Sequence, residues 1–257
     1  MPTEASYYGN RSACNMMIKK YKEALADIRM SLQLDPSYEK GYLRLIRTTL
    51  YLGNIKECEL AFETVKKLNL MGKIEAKAEH DKLQWLKRHL DDIKSCRVKA
   101  DHRKLIYLIG QALEVATADN GLKMMKADAL VKLGRHPEAQ ELCTEVLQND
   151  QKCAEAMYIR ALCLYLEDNW DKALQFVKQG LQYEPDSSKM QGLFKGLRRV
   201  KEKREEAGSK YGKGLWEEAR KDYEEVLAFV GADGEMANVS LVLKVKNDFV
   251  SCWNFEF

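Results

Sequence analysis

The chain of 257 residues carries a formal net charge of +3, with 32% charged and 46% hydrophobic residues. This balance suits a helical protein with a continuous core and does not indicate nucleic acid or an anionic membrane as a partner. No apolar run approaches the roughly 18 residues that cross a bilayer. The N-terminal residues lack the basic and apolar regions of a signal peptide. We therefore expect a cytoplasmic protein, with the nucleus as a further compartment.

A short motif that begins a helix recurs six times along the chain. The last residues of the six copies are Ala24, Cys58, Leu105, Ala139, Ala173 and Ala219. The intervals between them are 34, 47, 34, 34 and 46 residues, so a 34-residue period is interrupted twice by an insertion. This period is typical of tetratricopeptide repeats. The sequence therefore predicts an all-α fold, a tetratricopeptide-repeat superhelix of stacked antiparallel helix pairs.

The period also fixes what each position of a repeat should do. Position 20 lies where the two helices of a pair cross, so a small side chain is expected there. Gly53, Gly134 and Gly214 stand at the end of a first helix, where glycine adopts a left-handed conformation at little cost. The six repeats are placed at about 5–38, 39–72, 86–119, 120–153, 154–187 and 200–233.

The two insertions divide the chain into three predicted blocks. The first block, 1–72, holds two repeats, and 73–187 holds a linker helix and a middle block of three repeats. The third, 188–257, holds a second linker helix, one repeat and an irregular, aromatic C-terminal end. Because the stretch 73–85 contains helix formers and neither proline nor glycine, we expect a helix through 73–99 that acts as a semi-rigid strut.

The sequence offers no motif for catalysis, for a metal or for a cofactor. Its four histidines lack the spacing of a metal site, and its seven cysteines form no Cys-x-x-Cys pair, so we expect reduced thiols. There is no phosphate-binding glycine loop and no nucleophile motif. The basic run from Lys195 to Arg204 is interleaved with glutamates, which predicts a solvated helix with intrahelical ion pairs. We therefore predict a binding protein without enzymatic activity.

Three polar residues form the candidate peptide-binding site. Tetratricopeptide arrays bind extended peptides along the wall made by their first helices, and Asn10 and Arg44 occupy position 6 of successive repeats. Lys40 lies four residues before Arg44 and therefore on the same helical face. An amide, an ammonium and a guanidinium suit the binding of carboxylates through charge-assisted hydrogen bonds. The alternative is that Lys40 and Arg44 are ordinary exposed helix residues.

The same positions of the middle block differ in character. None of them holds the basic pair, so we expect this block to bind a less acidic and more apolar ligand. The corresponding residues are Lys87 and Asp91, Gly121 and Met125, and Glu155 and Ile159.

Four segments carry a resemblance to known co-chaperones. Residues 8–13 and 40–44 resemble the carboxylate-clamp repeats that bind the Glu-Glu-Val-Asp tails of Hsp70 and Hsp90. Residues 133–140 and 161–168 are similar to co-chaperones of the DnaJ homologue subfamily C member seven type, and the resemblance covers about 7–230. It implies an adaptor that recognises the acidic C-terminal tail of Hsp70 and/or Hsp90, with client proteins bound through the middle block.

This sequence also departs from that family. The family has a further N-terminal repeat and a J domain that are not found in this sequence, so we expect the chain to be a fragment. Gly208 stands where the family has a clamp asparagine, which speaks against a second clamp. Two alternatives remain open: a structural scaffold that organises a multiprotein complex, and a lumenal tetratricopeptide co-chaperone that holds clients.

Overall fold

The computed structural model describes residues 4–70, 76–167 and 169–232, and every regular element within these ranges is an α-helix. The prediction of an all-α fold is therefore confirmed. The helices are α1 (Ala5–Met17), α2 (Tyr21–Leu34), α3 (Glu39–Tyr51), α4 (Ile55–Lys67), α5 (Lys77–Val98), α6 (His102–Val115), α7 (Asn120–Lys132), α8 (His136–Asn149), α9 (Ala154–Leu166), α10 (Trp170–Tyr183), α11 (Ser188–Gly212) and α12 (Trp216–Ala232).

The helices follow the predicted repeat boundaries. Four first helices begin at the first residue of their predicted repeat, namely Ala5, Glu39, Asn120 and Ala154. The two insertions lengthen α5 to 22 residues and α11 to 25 residues. A first helix packs on its second helix in the pairs α1–α2, α3–α4, α5–α6, α9–α10 and α11–α12.

The side chains at position 20 are buried, as the repeat register predicts. Ala24, Ala139 and Ala173 have no solvent-exposed surface, and the larger Leu105 is 4% exposed. In the pairs α1–α2 and α9–α10, the small residue allows the two helices to approach closely, because a larger side chain would hold their backbones apart. The register read from the sequence is therefore the register of the core.

The turn that follows a first helix places position 15 in the left-handed region. Gly53, Gly134 and Gly214 have φ values of 68°, 74° and 79° there, as predicted. Lys19 and Ala100 occupy the same position in two other repeats, with φ of 63° and 54°. A residue with a β-carbon is disfavoured in this conformation by about 1–2 kcal/mol. Glycine is thus preferred at this turn, but it is not required.

Gly134 allows this cost to be measured. Because a β-carbon at Gly134 would meet no atom within 4 Å, Gly134→Ala changes only the backbone preference. We expect it to lower the free energy of unfolding by about 1 kcal/mol in urea denaturation. The reverse change, Ala100→Gly, should not destabilise the protein, since it relieves the strain. A neutral Gly134→Ala would show that this turn stores no strain.

The first linker helix is continuous from Lys77 to Val98, and its first turns are packed on neighbouring residues rather than free. The helix α5 begins at Lys77, while residues 71–75 lie outside the described part of the chain. Ala76 and Leu83 are buried in the same core cluster as Ile46 and Val65 of the preceding repeat. Glu79 accepts a hydrogen bond from Arg47 of α3 at 2.6 Å. The start of α5 is therefore packed on the preceding repeats.

The chain divides into two compact units, one ending at Leu133 and the other beginning at Gly134. The first unit contains α1 to α7, and the second contains α8 to α12. The three-block division inferred from the insertions remains a prediction. The aromatic C-terminal end, 249–257, lies outside the described residues.

Candidate functional site

The candidate site lies on α1 and α3, which pack against each other in the first unit. Asn10 is exposed on α1, and Lys40 is exposed on the first turn of α3. Arg44 is half-buried one turn further along α3. A β-carbon built at Gly9 of α1 would lie 3.1 Å from Nη1 of Arg44. The fold therefore brings the Arg44 guanidinium against the turn of α1 that carries Asn10.

The position of Arg44 is held by a tyrosine. Nη1 of Arg44 donates a hydrogen bond of 3.1 Å to the hydroxyl oxygen of Tyr38. Tyr38 immediately precedes α3, where it is the N-cap residue, and its ring is half-buried. The Arg44 side chain is therefore held in one place by burial and by this hydrogen bond, unlike an arginine that is fully exposed to solvent.

The other arginines of residues 1–72 are occupied by carboxylates. Arg11 binds the buried Asp27 through two nitrogens, and Arg29 binds Glu57 with both contacts below 3 Å. Arg47 donates to Glu79 of α5. Over the ranges that the structure describes, Arg44 is the arginine of this set that has no carboxylate partner. Since a guanidinium is permanently charged and matches a carboxylate in geometry, Arg44 is available to an acidic ligand.

Lys40 is likewise available. Its ammonium forms no ion pair with any residue of the described part of the chain, and it stands one helical turn before Arg44. The predicted residues Asn10, Lys40 and Arg44 are thus all accessible on two adjacent helices, and we call them the candidate strip. Binding of a ligand by the candidate strip remains a prediction.

Two residues of this surface were missed in the sequence. Gly9 is buried in the middle of α1, a position where glycine is a poor helix former. Tyr38 lies two residues before Lys40, in the loop between α2 and α3. A glycine on the interior face of a helix indicates close approach of another group. Gly9 could therefore have indicated that a side chain packs against α1 at this position, which in the structure is that of Tyr38.

The equivalent positions of the middle block offer no such surface. Lys87 is paired with Glu59, and Asp91 binds Lys94 at 2.9 Å. Ile159 is only 3% exposed and belongs to the core, and Met125 packs against a second core cluster. The apolar side chains that were expected to meet a ligand are therefore largely used in packing.

The basic run of α11 forms the ion pairs that its sequence predicts. Arg198 donates to Glu202 at 2.6 Å, one helical turn away. Lys201 also reaches Asp171 of α10 at 2.6 Å, which is a contact between helices. Such exposed pairs add little to stability, because water and salt screen the charges. Several cations of the run are thus paired with carboxylates of α11 itself or of the neighbouring helices.

The cysteines behave as small core residues. The six cysteines in the described ranges are free thiols, and Cys58, Cys96, Cys143 and Cys163 are buried. Burial raises the pKa of Cys143 to about 12, so its thiol stays protonated at neutral pH. Across the described residues, no group of three or more His, Cys, Asp or Glu side chains is arranged to hold a metal ion. No described helix combines the length and apolar character needed to cross a bilayer.

Comparison with known proteins agrees with the helix pairs and their 34-residue period. A family model described as tetratricopeptide repeat matches residues 124–187. The crystal structure of the P58(IPK) TPR domain has a TM-score of 0.74 over 99% of this chain and 70% of that chain, at 21% sequence identity. The fold is therefore that of a tetratricopeptide-repeat protein, as predicted.

The sequence relatives are more specific than the fold. The chain is 36% identical over 229 residues to DnaJ homolog subfamily C member 7 of Homo sapiens, covering 88% of this chain and 46% of that protein. It is 25% identical over 235 residues to the Dictyostelium discoideum homolog of the same protein, covering 88% and 42%. The predicted resemblance to this type of protein is confirmed. The chain spans less than half the length of either relative.

Proposed function

We propose that this chain is a co-chaperone adaptor that binds the acidic C-terminal tail of Hsp70- or Hsp90-type chaperones through Asn10, Lys40 and Arg44. The observation that carries the proposal is the state of Arg44. It is half-buried, held beside α1 and free of any carboxylate partner in the described ranges, whereas the neighbouring arginines are paired. A fixed and unpaired guanidinium next to an exposed amide and an ammonium is suited to an acidic ligand.

The chemistry of a chaperone tail matches this surface. A peptide that ends in Glu-Glu-Val-Asp has two carboxylates on its last residue, one in the side chain and one at the terminus. A hydrogen bond to a charged group contributes about 1.5–3 kcal/mol, and less where the contact stays in water. Arg44 is the contact that should approach the upper value, because it is half-buried. Lys40 should contribute less, because it is exposed.

The relatives support the same conclusion at a coarser level. DnaJ homologs that share this repeat region make a chaperone-linked adaptor the most economical proposal. We propose further that the chain acts by binding alone, in the cytoplasm, without an enzymatic activity or cofactor of its own.

The proposal is tested by calorimetric titration with a peptide ending in Glu-Glu-Val-Asp and with its C-terminal amide. We expect the acid form to bind with a Kd of tens of micromolar, which corresponds to about −6 kcal/mol, and the amide to bind more weakly. Raising the salt concentration should weaken binding of the acid form, because the charges lie near solvent. Equal affinity for acid and amide would contradict the proposal and favour a scaffold that uses another surface.

A further inference from the structure

Among the residues that the structure describes, the Tyr38 hydroxyl forms one hydrogen bond. It accepts the hydrogen bond from Nη1 of Arg44, and within the described ranges its own proton is donated to no other group. A tyrosine hydroxyl can accept and donate at the same time. The hydroxyl proton of Tyr38 is therefore available to a ligand directly beside the Arg44 guanidinium.

Gly9 leaves the space in which this contact forms. A β-carbon at Gly9 would lie 2.7 Å from Cε1 and 2.8 Å from the hydroxyl oxygen of Tyr38. Both distances are too short for non-bonded atoms, so any side chain at this position would push the ring away. The Tyr38 ring and the Arg44 guanidinium thus rest against a part of α1 that has no side chain. Glycine is a poor helix former, yet it is the residue that permits this approach.

We infer that Tyr38 is a further residue of the carboxylate site, which holds the Arg44 guanidinium beside α1 and offers its own hydroxyl proton to the same carboxylate. This inference rests on the proposed function. An arginine side chain has several freely rotating bonds, and holding it in place before binding reduces the entropy lost when the ligand arrives. Tyr38 is primarily a positioning residue, since it acts through Arg44.

The inference is tested by a double-mutant cycle on the intact chain. The measured quantity is the ratio of the affinities for the acid and amide forms of the peptide. Tyr38→Phe should lower this ratio about threefold to tenfold, because the ring remains but the hydroxyl is lost. In the Arg44→Ala background the same change should have a clearly smaller effect, since there is no guanidinium left to position and only the direct contact of the hydroxyl with the carboxylate can be lost. A structural role alone would not produce this coupling.

Two further variants complete the test: Tyr42→Phe is the control, and Gly9→Ala disturbs the Tyr38 ring without removing its hydroxyl. The Tyr42 hydroxyl donates to the carbonyl of Pro36 and, within the described ranges, forms no hydrogen bond with Arg44, so Tyr42→Phe should preserve the acid-to-amide ratio. Gly9→Ala should lower the ratio about as much as Tyr38→Phe, because the new methyl group displaces the ring. Circular dichroism of Gly9→Ala should retain the wild-type helix content, since alanine favours helix.

The outcomes separate the inference from the function on which it rests. If the wild type prefers the acid form and Tyr38→Phe keeps that preference, the inference is wrong and the proposed function stands. An equal loss with and without Arg44 would also refute positioning, because Tyr38 would then act independently. If the wild type does not distinguish acid from amide, the proposed function fails, and this inference fails with it.

Discussion

Arg44→Ala is expected to remove most of the preference for a free C-terminal carboxylate. Arg44 is half-buried, and its charge is not neutralised by a carboxylate in the described part of the chain, so a bound tail would supply that partner. The loss should be about 1.5–3 kcal/mol, which is a factor of ten or more in affinity for the acid form. The amide form should be affected less. Calorimetric titration of both peptides gives the two values.

The charge and the geometry of this arginine can be separated. Arg44→Lys keeps a positive charge but loses the planar fork and its contact with Tyr38, so an intermediate loss is expected. The matched control is Arg198→Ala, which removes an exposed arginine that is already paired with Glu202. That variant should bind as the wild type does. If Arg44→Ala and Arg198→Ala behave alike, the candidate strip is only an exposed helix face.

Ala173→Leu is expected to destabilise the second unit by about 1–3 kcal/mol. Ala173 has no exposed surface and belongs to a core cluster that includes Ala161, Val177 and Leu197. Because it lies at a crossing of two helices, the three additional carbon atoms of leucine must displace a neighbouring side chain or the backbone. Urea denaturation should show the change as a lower midpoint with a similar slope.

The adjacent residue provides the control for this substitution. Lys172 is exposed on the same helix, so Lys172→Ala should change the free energy of unfolding by no more than about 0.5 kcal/mol. Equal midpoints for the two variants would contradict the repeat register, since position 20 would then have no special place in the core.

The fold could be predicted from the sequence because the same motif recurs at intervals of 34 residues. The interval between small residues fixed helix starts such as Glu39 and Asn120, and the turn glycines fixed the left-handed positions. The packing of α5 could not be read in the same way. Helix propensity describes local structure alone, whereas the burial of Ala76 and Leu83 depends on apolar surfaces supplied by residues distant in the sequence.

The candidate site was predictable only in part. Periodicity placed Asn10 and Arg44 at equivalent positions, but it said nothing about which cations have partners. That distinction depends on contacts such as the one between Arg47 and Glu79, which are 32 residues apart. Comparing residues 34 apart identifies equivalent positions of successive repeats, and it does not reveal a contact between positions that are not equivalent. The Tyr38 contact was missed for a similar reason, since it arises from a loop residue and an absent side chain on another helix.

The continuous helix α5 contributes side chains to two core clusters of the first unit. Leu83 packs into the core cluster of the first two repeats, while Leu86 and Ile93 pack into the cluster of the third. Because one helix belongs to both clusters, we expect the unfolding of either cluster to expose apolar surface of the other. A segment cut at residue 72 would lose the helix that covers its last apolar face. We therefore expect the smallest independently folding piece that retains the candidate strip to extend through α5.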